Sequence, residues 1–271
     1  MATKHIHLAL CADDYGLSEN IDLGIVSLLQ KGRLSTVSCM TRSPRWLTDS
    51  APLLRQQQGN FEKGVHLNWT EPFPLEAAMP LNTLIIKNYL GQLDQTTIEK
   101  RIHAQLDAFE HGLNAQPDFI DGHQHAHQFP QIQKTLLKVL KSRYNNHKVW
   151  VRNTVPSTAN FNFKELVLKH LGGRSLQRRL TTAGIPTNHG FLGVYGFDIL
   201  EYDRIFELWL KRADNQTLIM CHPSQGEDES DSISKQRVVE YKFFASSRFV
   251  ELLNANAVVL QPLKNQLLLA Q

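Results

Sequence analysis

Residues 121–130 read DGHQHAHQFP, which sets Asp121 two positions before His123 and then His125 and His127 at alternate positions. Imidazole nitrogen binds borderline divalent ions, and one carboxylate with two His leaves coordination positions open for water or substrate. Alternate side chains of an extended segment share a face, but a helix start diverts the later ones, so the three His need not meet one ion. A spare imidazole can orient a ligand or touch substrate. Asp13 and Asp14 close an apolar run, His66 stands in GVHLNW opposite Val65 and Leu67, Arg152 ends KVWVRN, and His222 follows TLIMC. Adjacent residues of a continuing strand face opposite ways. The Asp pair is therefore expected in the turn after the first strand, one carboxylate binding metal and the other taking a proton. His222 can exchange a proton near neutral pH. Arg152 suits either an ion pair with Asp13 or support of an anionic intermediate. Each position also has a plainer use: an Asx turn or cap for the Asp pair, a hydrogen-bonded interior His66, a loop-anchoring His222, a solvated His patch at 121–130.

The elements that must position these residues alternate between strand and helix. Residues 5–12 form a strand, and Ser18 caps a helix carrying Ile21, Ile25, Leu28 and Leu29 that Gly32 stops. A strand at 35–40, a helix near 46–57 and a strand at 64–69 follow. Residues 71–95, with three Pro and an apolar patch at Leu84 to Ile86, read as a long irregular insertion over a binding face. Thr97 is the expected cap of a helix with Ile98, Ile102, Leu106 and Phe109 on one stripe, ended by Gly112. Strands at 118–123 and 148–153 flank a helix that begins at Pro130. A helix at 161–171, an irregular 172–200, a helix at 201–213 with Ile205, Leu208 and Trp209 inward, a strand at 217–223, a long helix at 234–253, a strand at 256–262 and a short docked helix at Leu267 to Leu269 complete the chain. This alternation predicts an α/β fold with a parallel sheet covered by helices. Polar residues at the ends of many different strands favour a barrel-like (β/α) ring related to a TIM barrel, irregular or incomplete, over an open sheet.

At 271 residues, with 42% hydrophobic and 20% charged, the composition is that of one ordinary domain (1–271) that needs neither a disulfide nor a structural metal to fold. Cys11, Cys39 and Cys221 form no close-spaced pair and suggest a reducing, cytoplasmic setting. A net charge of +3 with interspersed signs argues against nucleic acid as a partner. No signal peptide or bilayer-spanning run is expected, hence no membrane partner; a homodimer is compatible. Arg174, Arg178 and Arg179 form a modest basic cluster, suited to a solvated face or to a phosphorylated sugar.

Four motifs together, ADDYGLS at 12–18, GVHLN at 64–68, DGHQHAHQFP at 121–130 and CHPS at 221–224, resemble the YdjC-like family, the ChbG-type chitooligosaccharide deacetylases, over nearly the whole chain. The resemblance implies a metal-dependent hydrolase that removes an N-acetyl group from an oligosaccharide. It matches Asp14, His66 and His123 to the metal positions, Asp13 to the base and His222 to the late catalytic His. One divalent ion, Mg2+ or Zn2+, would activate water and polarise the amide carbonyl, with His222 protonating the amine and Arg152 holding Asp13 charged. His125 and His127 are expected as substrate contacts or as supports of the ligands. Gly122 stands where the family commonly has Ser, Gln124 where it has His, and Ser224 where it has Gly. A small N-acetylated carbohydrate is the expected substrate. The rival readings are a metal-dependent phosphoesterase and a noncatalytic sugar-binding protein on the same scaffold.

Overall fold

The computed structural model describes residues 5–74, 76–144, 149–158 and 162–269. The elements run β1 (Ile6–Tyr15), α1 (Glu19–Gln30), β2 (Thr36–Cys39), α2 (Ala51–Arg55), β3 (Glu62–Leu67), α3 (Leu81–Tyr89), α4 (Gln95–Leu113), β4 (Phe119–Gly122), α5 (Pro130–Arg143), β5 (Trp150–Val151), α6 (Phe163–Leu168), α7 (Arg174–Ala183), β6 (Gly190–Leu192), α8 (Tyr202–Leu210), β7 (Thr217–Cys221), α9 (Ser234–Ala245), α10 (Ser247–Ala255), β8 (Val258–Leu260) and α11 (Leu263–Leu269). The strands form one parallel sheet in the order β5-β4-β3-β2-β1-β7-β6, with β8 paired to the start of β1.

Two apolar layers show how far this sheet curls. The larger lies between sheet and helices and takes the outward residues, such as Leu10 and Ala12 of β1 and Val65 and Leu67 of β3. The smaller joins Ala9 and Cys11 of β1, Phe119 of β4, Trp150 of β5, Phe191 of β6 and Leu218 and Met220 of β7. Residues near the two edges of the sheet meet in one cluster only if the sheet closes on itself, so the fold is barrel-like. The closure is incomplete as a ladder: β5 and β6 are joined by the Val151 N–H donating to the Pro186 carbonyl at 3.0 Å and by the Asn188 side chain, which accepts from Asn153 N–H at 2.8 Å and donates to its carbonyl at 3.0 Å. Inside, Phe119 stacks on Trp150 with centroids 4.4 Å apart, and a Cβ at Gly64 would lie 2.5 Å from the Phe119 ring. Only glycine lets that ring pack against β3.

Several local expectations are corrected. Asp94, not Thr97, caps α4 by accepting from Thr97 N–H at 2.6 Å, and the helix ends in left-handed Asn114, beyond Gly112. The 71–95 insertion contains α3, and 172–200 contains α7 and β6, a strand too short and Gly-rich to stand out. The helix expected near 46–57 is a π-helical turn at Trp46–Ser50 running into five-residue α2. The long helix at 234–253 is two, broken at Ser246, whose extended backbone ends α9. Leu208 is 58% exposed, because α8 turns Phe206 and Trp209 inward instead. Lys148 and Phe161, expected in a strand and a helix, lie outside the described residues.

The amino end of the barrel is sealed by Glu62 and α11. Buried Glu62 accepts from Trp150 Nε1 at 2.9 Å and from the backbone N–H of Leu263 at 2.6 Å and Lys264 at 3.0 Å. Burial pushes its carboxyl up from 4.5 to about 7, against those donors. A folded-state value above the unfolded one means that the native state holds a proton the unfolded chain has released. The group's contribution is therefore full below pH 4.5 and lost as pH rises through about 7. Glu62→Gln, which cannot ionise, should show a smaller decline than the wild type across that window, read from urea unfolding at stepped pH; parallel curves would contradict this.

Candidate active site

Chemistry-bearing residues gather at the opposite, carboxyl ends of the strands, and the Asp pair reaches them by a route that strict alternation forbids. Both carboxylates lie inside β1, not in the turn after it. Ala12 pairs with Val37 and Tyr15 with Cys39, so three steps along β1 face two along β2: a bulge. Asp14 takes the extra position with φ 67°. Asp13 keeps the inward direction of Cys11, and left-handed Asp14 lets a second carboxylate enter the same site.

Asp13 is gripped by fully buried Arg152 through two short contacts, Nη1 to Oδ2 at 2.7 Å and Nη2 to Oδ1 at 2.6 Å. The same Nη2 lies 2.5 Å from Asp121 Oδ2. Burial alone would raise the Asp13 pKa, but the guanidinium overrides it and holds the carboxyl well below the usual range. Asp121 faces His66 across the β3–β4 register, and its Oδ1 lies 2.7 Å from His66 Nδ1 and accepts from Ser38 Oγ at 2.5 Å. This fixes the ring so that His66 Nε2 comes 3.3 Å from Asp14 Oδ1. His123 opens the 3-10 turn His123–Gln128 and brings Nδ1 to 2.9 Å from that same oxygen. One donor atom from each of Asp14, His66 and His123 lies within 4.8 Å of the others. The other Asp14 oxygen accepts from Arg237 Nη2 at 2.7 Å. A carboxylate and two imidazoles so placed suit one divalent ion with open positions. Burial lowers the His66 pKa, but Asp121 and Asp13 outweigh it and push it up to about 10.

His222 brings Nε2 to 4.0 Å from Asp13 Oδ2. Its backbone N–H donates to Glu240 at 2.5 Å, and Glu240 also accepts from Tyr195 Oη. Burial pushes the His222 imidazole down to about 4 although Asp14 and Asp13 pull the other way, so it rests neutral. His125 and His127 part company. His127 Nε2 lies 2.9 Å from the Arg152 carbonyl, which makes it a support of the Arg152 backbone. His125 lines the cavity with its ring edge-on to Phe191 at 5.5 Å, and it follows left-handed Gln124 in the same strained conformation. A cavity of about 860 Å³ is shared by Asp13, Asp14, His66, His123, His125 and His222. Both irregular stretches of the sequence contribute to its walls, through Leu81 and Ile85 and through Val194 and Phe197. Arg174, Arg178 and Arg179 are exposed on α7 and do not line it.

Comparison with known proteins agrees with this layout, for the profile of the YdjC-like protein family matches residues 7–255. The chain belongs to the YdjC-like family. A carbohydrate deacetylase from Thermoanaerobacter pseudethanolicus is 23% identical over 94% of this chain and 96% of its own. A chitooligosaccharide deacetylase from Yersinia pestis is 26% identical over 80% of this chain and 81% of its own. A carbohydrate deacetylase from Danio rerio is 26% identical over 52% of this chain, and the match spans about half, 48%, of that relative's length. Among solved structures, a suggested cellobiose-phosphate cleavage protein from Enterococcus faecalis V583 shares the fold with a TM-score of 0.71, 16% identity and coverage of 97% of this chain and 99% of its own.

Two departures of this YdjC-like chain from its family acquire a setting. A Cβ at Gly122 would come 3.0 Å from His127 N, so glycine here goes with the inward packing of His127. Gln124 is the first of the two left-handed residues that turn His125 toward the cavity. Arg237 and Glu240 were not legible in advance: they sit on α9, over a hundred positions from the His-rich motif, in a stretch without distinctive spacing. Arg152→Met, which leaves Asp13 and Asp121 buried without their partner, should lower stability by about 3–5 kcal/mol; chemical denaturation would check it, and a loss under about 1 kcal/mol would contradict the buried network.

Proposed function

We propose that this YdjC-like chain is a metal-dependent carbohydrate deacetylase that hydrolyses the N-acetyl group of an N-acetylated sugar or chitooligosaccharide. The observation that carries the reading is the convergence of Asp14, His66 and His123 donor atoms beside the Asp13–Arg152 pair and His222, all facing one cavity. The deacetylase names of the relatives supply the substrate class. Asp14, His66 and His123 would hold one divalent ion, Mg2+ or Zn2+. Such an ion supplies acidified water and a polarised carbonyl.

The chain's own groups divide the proton traffic. Asp13, anionic through Arg152, accepts a proton from the attacking water at its Oδ2, the oxygen nearer His222. His222 rests neutral, so it must first gain that proton before it can pass it to the departing amine nitrogen. The Asp13 charge 4.0 Å away favours the imidazolium as it forms. The Glu240 carboxylate fixes the His222 backbone, and Asp121 with Ser38 fixes the tautomer and aim of His66. His125, neutral through burial and the Arg152 charge, faces the same cavity and is placed to contact substrate.

The two rival readings fare less well. Two-metal phosphate chemistry would need a second carboxylate site, and the candidate group of Cys11, Asp13 and Asp121 already surrounds the Arg152 guanidinium, which would repel another cation. A purely sugar-binding role gives no use to a buried Asp13–Arg152 pair beside an exchangeable His222. The three free, buried cysteines suit a reducing, cytoplasmic setting, and no helix among the described residues is long and apolar enough to cross a membrane.

With N-acetylglucosamine oligosaccharides as substrate, acetate release should vanish on chelation and return on adding back a divalent ion. Asp13→Asn should lower kcat by about 100- to 10,000-fold. Activity confined to phosphate esters would overturn the proposal. Asp121→Asn should weaken ion binding by about 10- to 100-fold, measured by titration calorimetry, because it releases the His66 ring rather than removing a ligand.

A further inference from the structure

We propose that the cavity contains a subsite for an apolar group carried by the substrate, so that the preferred substrate is an N-acetylated sugar joined to a hydrocarbon aglycone. The inference rests on the deacetylase reading above and names the substrate class of the same site.

Beyond its polar centre one side of the cavity is largely hydrocarbon, with Ile85 of α3, Phe163 and Val167 of α6, Leu171 of the turn after it, Phe197 after β6 and Ile233 before α9, while Glu71, Lys164, Asp228 and Asp231 also line it. The apolar residues come from four separate connections, so the apolar wall is not the face of one helix. Sugar hydroxyls pressed against branched aliphatic side chains would exchange water for no partner, which is unfavourable. An alkyl chain loses nothing there. At about 860 Å³ the cavity lies toward the upper end of the roughly 300–1,000 Å³ usual for small-molecule sites, room for more than one acetamido sugar.

The outer surface continues the pattern. Nine large hydrophobic residues are exposed among the described residues, and five fall on α6 or on α3 and the residue after it: Phe163 at 78%, Val167 at 40%, Ile86 at 58%, Tyr89 at 46% and Leu90 at 64%. Single exposed apolar residues are ordinary, but a concentration on the two helices that supply the cavity's own wall marks a binding surface. Phe163 and Val167 belong to both sets: they line the cavity and remain exposed, so the hydrocarbon wall runs out to the rim. Phe163 and Val167 thus offer a chain leaving the sugar apolar contacts out to the rim.

The test compares the methyl and octyl β-glycosides of N-acetylglucosamine below the micellar concentration. Each methylene seated in the subsite should raise kcat/KM by about fourfold, and the octyl-to-methyl ratio should exceed about 100. Phe163→Ser combined with Val167→Asn should cut that ratio by at least about tenfold. Leu208→Ser, on the exposed side of α8 and away from the cavity, should leave it unchanged. Titration calorimetry of wild-type protein with methyl and octyl glucosaminide, the two products, reads the same preference without turnover. Equal kcat/KM and equal affinity for the two chain lengths would overturn the subsite while deacetylation stands. Tighter octyl binding with no acetate release from either glycoside would support the subsite and overturn the deacetylase reading instead.

Discussion

A buried guanidinium with a carboxylate on each side sets the terms for the rest of this molecule. Arg152 is fully enclosed, and its Nη2 touches both Asp13 and Asp121. Taking such ions out of water is costly, and the arrangement persists only because each charge meets another at hydrogen-bond distance. The two carboxylates come from β1 and β4, so the pairing locks distant strands into one geometry across the barrel interior. It also ties the two ends of the chemistry together. Asp13 lies 4.0 Å from His222 Nε2, while Asp121 orients His66 toward Asp14. A shift of Arg152 would disturb the proposed base and the proposed ligand set at once, and the His127 bond to the Arg152 carbonyl guards against that from the backbone side.

The charge balance around this core explains why the donors of Asp14, His66 and His123 suit a cation. Asp13, Asp14 and Asp121 contribute three carboxylates, whereas Arg152 and Arg237 contribute two guanidiniums. With His66 pushed up to about 10, its proton balances that excess, and an ion held by Asp14, His66 and His123 would take the proton's place. Arg237 takes the outer oxygen of Asp14 and leaves the inner one to the imidazoles, so each oxygen of that carboxylate has a separate task. Without Arg237 both oxygens would be free to turn, and the ligand geometry would lose one of its fixed edges.

Much of this was legible in the sequence because the chemistry sits at strand ends, where an apolar run stops on a polar residue. Asp121, Arg152 and His222 announce themselves that way and His66 by its alternation with Val65 and Leu67, while the resemblance to the family is what assigns Asp14 to the metal and Asp13 to the base. What was not legible depended on backbone geometry or on distance. A bulge leaves no mark in composition, so the alternation rule displaced the Asp pair into a turn when it lies within β1. Strand β6 is three residues long and lies in a Gly- and Pro-containing stretch, so its period-two pattern had no length in which to show. Ser246 breaks the long carboxyl-terminal helix within a polar stretch, Ser246 to Arg248, only three residues long, too short to read as a boundary. Arg237 and Glu240 look like ordinary polar positions of a helix, and only the folded chain brings them beneath Asp14 and His222.

The reaction centre and the substrate are written into different parts of the chain. The centre is built on strands whose inward residues are fixed by register, by the stacked Phe119 and Trp150, and by the Arg152 network, so a change there is felt in the fold. The walls come from connections that touch the barrel only at their ends: the insertion bearing α3, the α6 turn, and the segments after β6 and β7. Replacing Ile85 or Val167 by a polar residue would alter what the cavity prefers without touching a ladder hydrogen bond. Reaction type is therefore constrained by stability in a way that substrate choice is not. Motifs at strand ends can name a class of chemistry from sequence, while the hydrocarbon wall that selects the substrate becomes visible only when four unrelated loops are seen facing one space.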